Sequence, residues 1–70
     1  MNEEFISTIR ENVRDLRRAG TPARCIRMSA AQAKLIEGEF AVEHHDGLRW
    51  IENTKIVEDE SVPFGEFRLY

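Results

Sequence analysis

The spacing of apolar residues changes once along the chain, near Gly38, and this change limits the fold more than any other feature. Before that point the clearest apolar stripe recurs at steps of three and four, which is the helical period. After it, apolar and polar residues alternate in short runs interrupted by turn residues, which is typical of strands. Helices that lead and strands that follow predict an α+β fold.

The first helix is predicted over Glu3–Arg18. Its apolar stripe consists of Phe5, Ile6, Ile9, Val13 and Leu16. Acidic residues occupy the first turn and arginines the last, which suits the helix dipole at both ends. Gly20 supplies a C-terminal stop, and Pro22 prevents continuation of the helix.

A short strand and a short second helix are predicted next. Ala23–Met28 lies between a Thr-Pro turn and a strong helix start, and we interpret it as a strand. Ser29 and Gln32 have the spacing of a capping box, in which each side chain bonds the backbone N–H of the other residue. The helix that they open ends at Gly38.

Asp46-Gly47 predicts a β-hairpin, because both central positions of a type I′ turn need a positive φ. The flanking runs, Phe40–His45 and Leu48–Asn53, are its two strands. In the register that this turn sets, Glu43 lies opposite Trp50.

Two further strands are predicted at Lys55–Asp59 and Glu66–Tyr70, with a turn at Pro63–Gly65 between them. The chain contains no linker and no internal repeat, so residues 1–70 form a single α+β domain. We expect a long N-terminal helix and a short second helix packed on one face of a small antiparallel sheet.

The segment from Ile51 to Tyr70 carries a recognisable pattern: a short apolar strand, the acidic step Asp59-Glu60-Ser61, a Pro-x-Gly turn and a final hydrophobic strand. This last third of the chain resembles the tails of many small uncharacterised proteins encoded by tailed bacteriophages and prophages. Those proteins usually carry Gly-Val/Ile-Pro-Val before the acidic step, where this chain has different residues. The resemblance implies a phage or prophage origin, and it carries no catalytic residues across.

A chain of 70 residues has a thin core, because it buries only about 60% of the surface that its unfolded form exposes. Cys25 is the only cysteine, so no internal disulfide adds stability. Spare apolar surface therefore favours association, most simply as a homodimer. The predicted protein interface consists of Ile6, Ile9, Val13, Leu16, Trp50, Phe67 and Tyr70. For the helix residues, packing on the chain's own sheet selects the same stripe, and both interpretations remain open.

A ridge of arginines borders the apolar stripe of the first helix. It consists of Arg10, Arg14 and Arg17, continued by Arg18. One interpretation is a solvated face with a few ion pairs along the helix. The other is a basic ridge for phosphate, which makes a small nucleic-acid-binding or regulatory protein the alternative function. The net charge of −3 argues against a general nucleic-acid binder.

No catalytic, cofactor or metal site is predicted from the remaining candidates. Cys25 lacks the context of a nucleophile and is interpreted as a core residue. His44 and His45 are neighbours on a strand and point to opposite faces, so they do not easily share an ion, and only a site between subunits stays open. The sequence contains no phosphate-binding glycine loop and no recognisable hydrolase motif.

These observations favour a small non-enzymatic protein-interaction module, phage-encoded and acting on a host or phage protein. No cofactor and no small-molecule substrate are inferred. The lone cysteine, the acidic first residues and the lack of a long apolar run favour a cytoplasmic location without a membrane partner, in the host cytoplasm for a phage protein.

Overall fold

The computed structural model describes residues 2–70 as two helices and one five-stranded sheet. The elements in chain order are α1 (Asn2–Arg18), β1 (Cys25–Met28), α2 (Ala30–Ile36), β2 (Glu43–His45), β3 (Leu48–Ile51), β4 (Thr54–Glu58) and β5 (Arg68–Leu69). The predicted α+β class is confirmed. Within residues 2–70, no helix is both long and apolar enough to cross a membrane.

Helix α1 packs its apolar stripe against the sheet of its own chain. Ile6, Ile9 and Val13 are buried in the core, and Leu16 at the end of the stripe is half-buried. The three buried residues therefore have no surface to offer to another chain, and their placement in an intermolecular interface is wrong. The intramolecular interpretation of the stripe holds, because the sheet supplies the apolar face that the helix needs.

The sheet is mixed, in the order β2-β3-β4-β1-β5, and this corrects the expectation of a purely antiparallel sheet. The chain leaves β1 through α2 and the β2–β3 hairpin, and β4 then returns alongside β1 in the same direction. Ile26 in β1 consequently registers with Ile56 in the parallel β4 and with Leu69 in the antiparallel β5. Strand β1 thus lies inside the sheet, which explains why three of its four residues are buried.

The hairpin turn forms as predicted. Asp46 and Gly47 have φ of 57° and 72°, and Glu43 lies opposite Trp50. The first strand of the hairpin is shorter than the predicted run, because the chain turns through residues 39–41 and leaves Phe40 fully exposed.

A second tight turn, which the sequence does not signal, joins β3 to β4. Its central residues Glu52 and Asn53 have φ of 50° and 59°, the left-handed region where an asparagine is tolerated and a glutamate is unusual. Glutamate is held there by contacts with α1 that are described below.

Half of the predicted capping box forms at the start of α2. Ser29 Oγ accepts the backbone N–H of Gln32 at 3.1 Å. The side chain of Gln32 does not return to Ser29, because its Oε1 accepts the backbone N–H of Gly65 at 2.8 Å. Gln32 is buried, and it ties the loop before β5 to α2.

Both helices cover the same face of the sheet, as predicted. The sheet residues that meet them are Ile26, Met28, Ile51 and Ile56, all of which belong to the buried core. In the part of the chain that the structure describes, no helix lies over the opposite face.

Candidate functional site: the uncovered face of the sheet

The face of the sheet that carries no helix presents two rows of side chains, which we call the uncovered face. Residues that share a register position point to the same side of a sheet, so the rows follow from the strand pairing. The first row crosses the sheet with one residue from each of β2, β3, β4 and β1 and one from just after β5: Glu43, Trp50, Lys55, Cys25 and Tyr70. The second row is His45, Leu48, Val57, Arg27 and Arg68.

Trp50 is held in place by its own hairpin. Its ring stacks on that of His45, with centroids 4.9 Å apart and planes 18° from parallel. The indole Nε1 also donates to the backbone oxygen of His45 at 3.0 Å. Glu43 Oε1 lies 3.5 Å from His45 Nε2, on the same face of the sheet. The half-buried indole is therefore held in place by contacts within its own chain.

Tyr70 is ordered in a similar way at the other end of the row. The guanidinium carbon of Arg27 lies 4.9 Å from the centroid of the Tyr70 ring, while the residue stays 59% exposed. Arg27 also donates to Asp59 Oδ2 at 3.1 Å, and this bond, more than its contact with Cys25, raises the pKa of Arg27.

Asp59 is fixed chiefly by its own loop. Ser61 donates to Asp59 Oδ1 from its hydroxyl at 2.6 Å and from its backbone N–H at 2.9 Å. These bonds, followed by the bond from Arg27, hold the pKa of Asp59 below its ordinary value. The carboxylate thus stays charged at neutral pH and keeps Arg27 over the Tyr70 ring.

Two arginines on the uncovered face form ion pairs, whereas its lysine does not. Arg68 bonds Glu66 at 3.0 Å, and Arg27 bonds Asp59. Lys55 is exposed near the middle of the first row, and among residues 2–70 no carboxylate forms a salt bridge with it. The face therefore offers one free positive charge between its two aromatic positions.

A cleft of about 760 Å³, which we call the β3–β4 cleft, opens at the side of this face. The ladder between β3 and β4 contains only the pairs Trp50–Lys55 and Ile51–Thr54, and the cleft lies beside the rest of the two strands. The cleft is lined by Glu37, His44, His45, Gly47, Leu48, Arg49, Lys55, Ile56, Val57 and Glu58. These residues come from both faces of the sheet.

Arg49 closes the helix side of the cleft. Its Nη2 donates to Glu37 Oε2 at 2.7 Å and its Nη1 to Glu58 Oε2 at 3.2 Å. The bond from Arg49 lowers the pKa of Glu37. His44 donates from Nε2 to the backbone oxygen of Glu37 at 2.7 Å, so it points to the helix side while His45 points to the uncovered face.

The predicted arginine ridge has an internal partner. Arg14 donates from Nε to Glu52 Oε1 at 2.7 Å, Arg10 Nε lies 3.5 Å from the same oxygen, and Arg17 donates to the backbone oxygen of Glu52 at 2.8 Å. Arg18 pairs within the helix, with Asp15 at 3.3 Å. The ridge thus fastens the β3–β4 turn to α1, a structural role that the sequence interpretation missed.

The predicted interface residues are divided by the fold. Trp50 and Tyr70 lie on the uncovered face, as an interface requires. Phe67 instead packs edge-on against Phe5, with ring centroids 5.7 Å apart, at the border of the core. It is partly buried, as Trp50 is, and its role in an interface stays a prediction.

Other side chains of the uncovered face were missed. The hairpin register alone places Leu48 and His45 beside Trp50, so the Asp-Gly signal could have found them. Arg27 and Lys55 join them only because β1 and β4 are adjacent, a long-range pairing without a local signal. Cys25, predicted as core, is buried between these neighbours.

Metal ligands do not gather on this face. Within residues 2–70 the structure contains no group of three or more His, Cys, Asp or Glu side chains placed to hold an ion. No protein-family model matches the chain, and no curated protein or solved structure is significantly similar to it. Function is therefore inferred from the geometry of the uncovered face.

Proposed function

We propose that the protein is a small non-enzymatic protein-interaction module whose contact surface is the uncovered face. The observation that carries this proposal is the one-sided coverage of the sheet: both helices lie on one face, and Leu48, Trp50 and Tyr70 lie on the other. Tryptophan and tyrosine are enriched among the residues that dominate binding energy in protein interfaces.

These aromatic side chains are already held in one position, which supports the proposal. Trp50 is stacked on His45, and Tyr70 lies under Arg27, so little side-chain freedom remains to be lost on binding. Ordering a mobile side chain costs about 0.5–1.5 kcal/mol at an interface, and this cost is already met within the folded chain.

A second copy of the chain is the partner that we propose first. The uncovered face carries both signs of charge, with Glu43 at one edge and Lys55 nearer the middle. A two-fold contact uses the same surface on both copies, so a surface of mixed sign can place each charge near its opposite. A host or phage protein with a similar surface would use the same face.

Sedimentation equilibrium tests this proposal. We expect a concentration-dependent dimer of about twice 8.2 kDa. Tyr70→Ser should raise the dimer dissociation constant by about tenfold or more, because an exposed aromatic anchor is removed. Phe64→Ser is the matched control: Phe64 is 62% exposed, close to the 59% of Tyr70, but lies in the loop tied to α2. A monomer at every concentration, or equal effects of the two variants, would contradict the proposal.

Binding of single-stranded nucleic acid is the second candidate function. A specific observation favours the uncovered face over the arginine ridge as the binding surface. Arg10, Arg14 and Arg17 are occupied by Glu52, whereas Trp50 and Tyr70 stand on an open sheet with Lys55 between them. Aromatic platforms beside cations bind bases by stacking. A gel shift that weakens steeply with salt would support this candidate, and no shift at low salt would exclude it.

The setting proposed for this module follows from the sequence. The last third of the chain resembles phage and prophage proteins, and we place the protein in the host cytoplasm, where it binds a host or phage protein. Its identification in a phage particle or in infected cells, by mass spectrometry, would decide between a virion component and a host-directed protein.

A further inference from the structure

Glu43 and His45 bring two metal-type ligands together on the end strand of the sheet. They are two residues apart in β2, so their side chains lie on the same face. Glu43 Oε1 is 3.5 Å from His45 Nε2, and the two side chains are 61% and 48% exposed. Two ligands of a tetrahedral zinc ion, each about 2.0–2.2 Å from the metal, are about 3.3–3.6 Å apart. The separation of this pair therefore matches that of two zinc ligands.

Of the two neighbouring histidines, only His45 is available to a metal ion. Its ring stacks on Trp50, and its Nε2 faces Glu43 on the exposed side of the strand. His44 points to the helix side, where its Nε2 donates to the backbone oxygen of Glu37 at 2.7 Å. The stacking also fixes the orientation of the His45 ring, which a metal site requires of its ligands.

One copy of the chain supplies only half of a zinc site. Structural zinc sites use four ligands, and no third His, Cys, Asp or Glu side chain of residues 2–70 joins this pair. Strand β2 is the last strand of the sheet, and all three of its residues are exposed. A second copy can therefore approach the pair from the open side of β2 and complete the ligand set.

The hairpin register indicates how two β2 strands would meet. His45 and Leu48 flank a two-residue turn and form a hydrogen-bonded pair, so the backbone groups of His44 point away from β3. When the His44 residues of two copies pair across a two-fold axis, Glu43 of each copy lies opposite His45 of the other. The four Cα atoms are then about 5.5 Å apart across the strands and about 6.7 Å along them. All four side chains thus surround one point on the axis.

We propose that two copies of the protein bind one zinc ion between their β2 strands, with Glu43 Oε1 and His45 Nε2 of each copy as its four ligands. Imidazole nitrogen and carboxylate oxygen are both common zinc ligands. Two carboxylates also balance the double positive charge of the ion. The two sheets join edge to edge, so their uncovered faces lie side by side and stay open.

This inference goes beyond the proposed function and does not depend on it. Tyr70 follows β5, at the opposite end of the sheet from β2. Tyr70→Ser should therefore weaken self-association through the uncovered face and leave the zinc-dependent dimer unchanged. A dimer that forms only with zinc would overturn the first and support the second, and a zinc-independent dimer that zinc does not strengthen would do the reverse.

Sedimentation equilibrium of the Tyr70→Ser variant, titrated with zinc chloride, tests the proposal. We expect the monomer to become a dimer at one zinc ion per two chains, and EDTA to reverse the change. Magnesium chloride should not replace zinc, because Mg²⁺ demands octahedral oxygen coordination. No change in mass with zinc, saturation at one ion per chain, or the same dimer with magnesium would overturn the proposal.

A matched pair of histidine variants identifies the ligand. His45→Phe keeps an aromatic ring for Trp50 but removes the ligand nitrogen, so the zinc-dependent dimer should be lost. His44→Phe changes the neighbouring histidine on the other face and should retain the dimer. Cobalt(II), used in place of zinc, should give the visible absorption of tetrahedral coordination with His44→Phe and not with His45→Phe. Equal behaviour of the two variants would overturn the proposal.

Discussion

Ile26→Ala is expected to lower the free energy of unfolding by about 2–5 kcal/mol, the largest effect of any single change considered for this chain. Ile26 is 0% exposed in β1, the strand that joins the parallel and antiparallel parts of the sheet. Truncation leaves a cavity where Ile56 and Leu69 meet it across the ladder. A domain of this size has roughly 4–10 kcal/mol of stability in total, so the variant should be near its unfolding midpoint in mild denaturant.

Urea denaturation followed by circular dichroism measures this loss. Leu35→Ala is the control, because Leu35 is 51% exposed on α2 and alanine favours the helix. The control should change stability by no more than about 0.5 kcal/mol. A loss below about 1 kcal/mol for Ile26→Ala would mean that the core is not centred on β1.

Glu52→Ala is expected to cost about 1–2 kcal/mol, the second largest effect. A hydrogen bond to a charged group contributes about 1.5–3 kcal/mol, but the side chains of Arg10 and Arg14 remain 42% and 47% exposed, so solvent screening reduces the gain. The Glu52 side chain itself is only 20% exposed. Its loss leaves Arg10 and Arg14 without their shared carboxylate, and only the bond from Arg17 to the backbone oxygen at this position still ties the β3–β4 turn to α1.

The electrostatic part of the stability lost in Glu52→Ala can be recognised because it depends on salt concentration. The difference between wild type and Glu52→Ala should shrink as sodium chloride is raised in the urea titration. Glu66→Ala is the control, since Glu66 forms an exposed pair with Arg68 and should contribute little. A Glu52 effect no larger than that of Glu66 would remove the structural role assigned to the arginines.

The features that the sequence predicts correctly are local. The bounds of α1, the Ser29 cap and the Asp46-Gly47 turn depend on residues within one or two turns of each other. The same locality explains why the partner of Trp50 across the hairpin is predicted correctly, because a two-residue turn fixes the register.

The features that the sequence does not predict depend on long-range pairing. Ile26 and Ile56 are thirty residues apart, and nothing near either one indicates that their strands run parallel. Gln32 looks like a capping residue until the loop at Gly65 is brought beside it. The uncovered face also depends on long-range pairing. The position of Trp50 in its hairpin is predictable, but Arg27 and Lys55 lie on the same face as Trp50 only because their strands are adjacent in the sheet.

Concentration-dependent amide spectra of the ¹⁵N-labelled protein test most directly whether the uncovered face is a contact surface. From micromolar to millimolar protein, the Trp50 indole and the amides of Arg27 and Lys55 should shift, while those on the outer side of α1, such as Glu11, should not. Spectra that do not change with concentration, or that change only along the helices, would contradict the proposed role of this face.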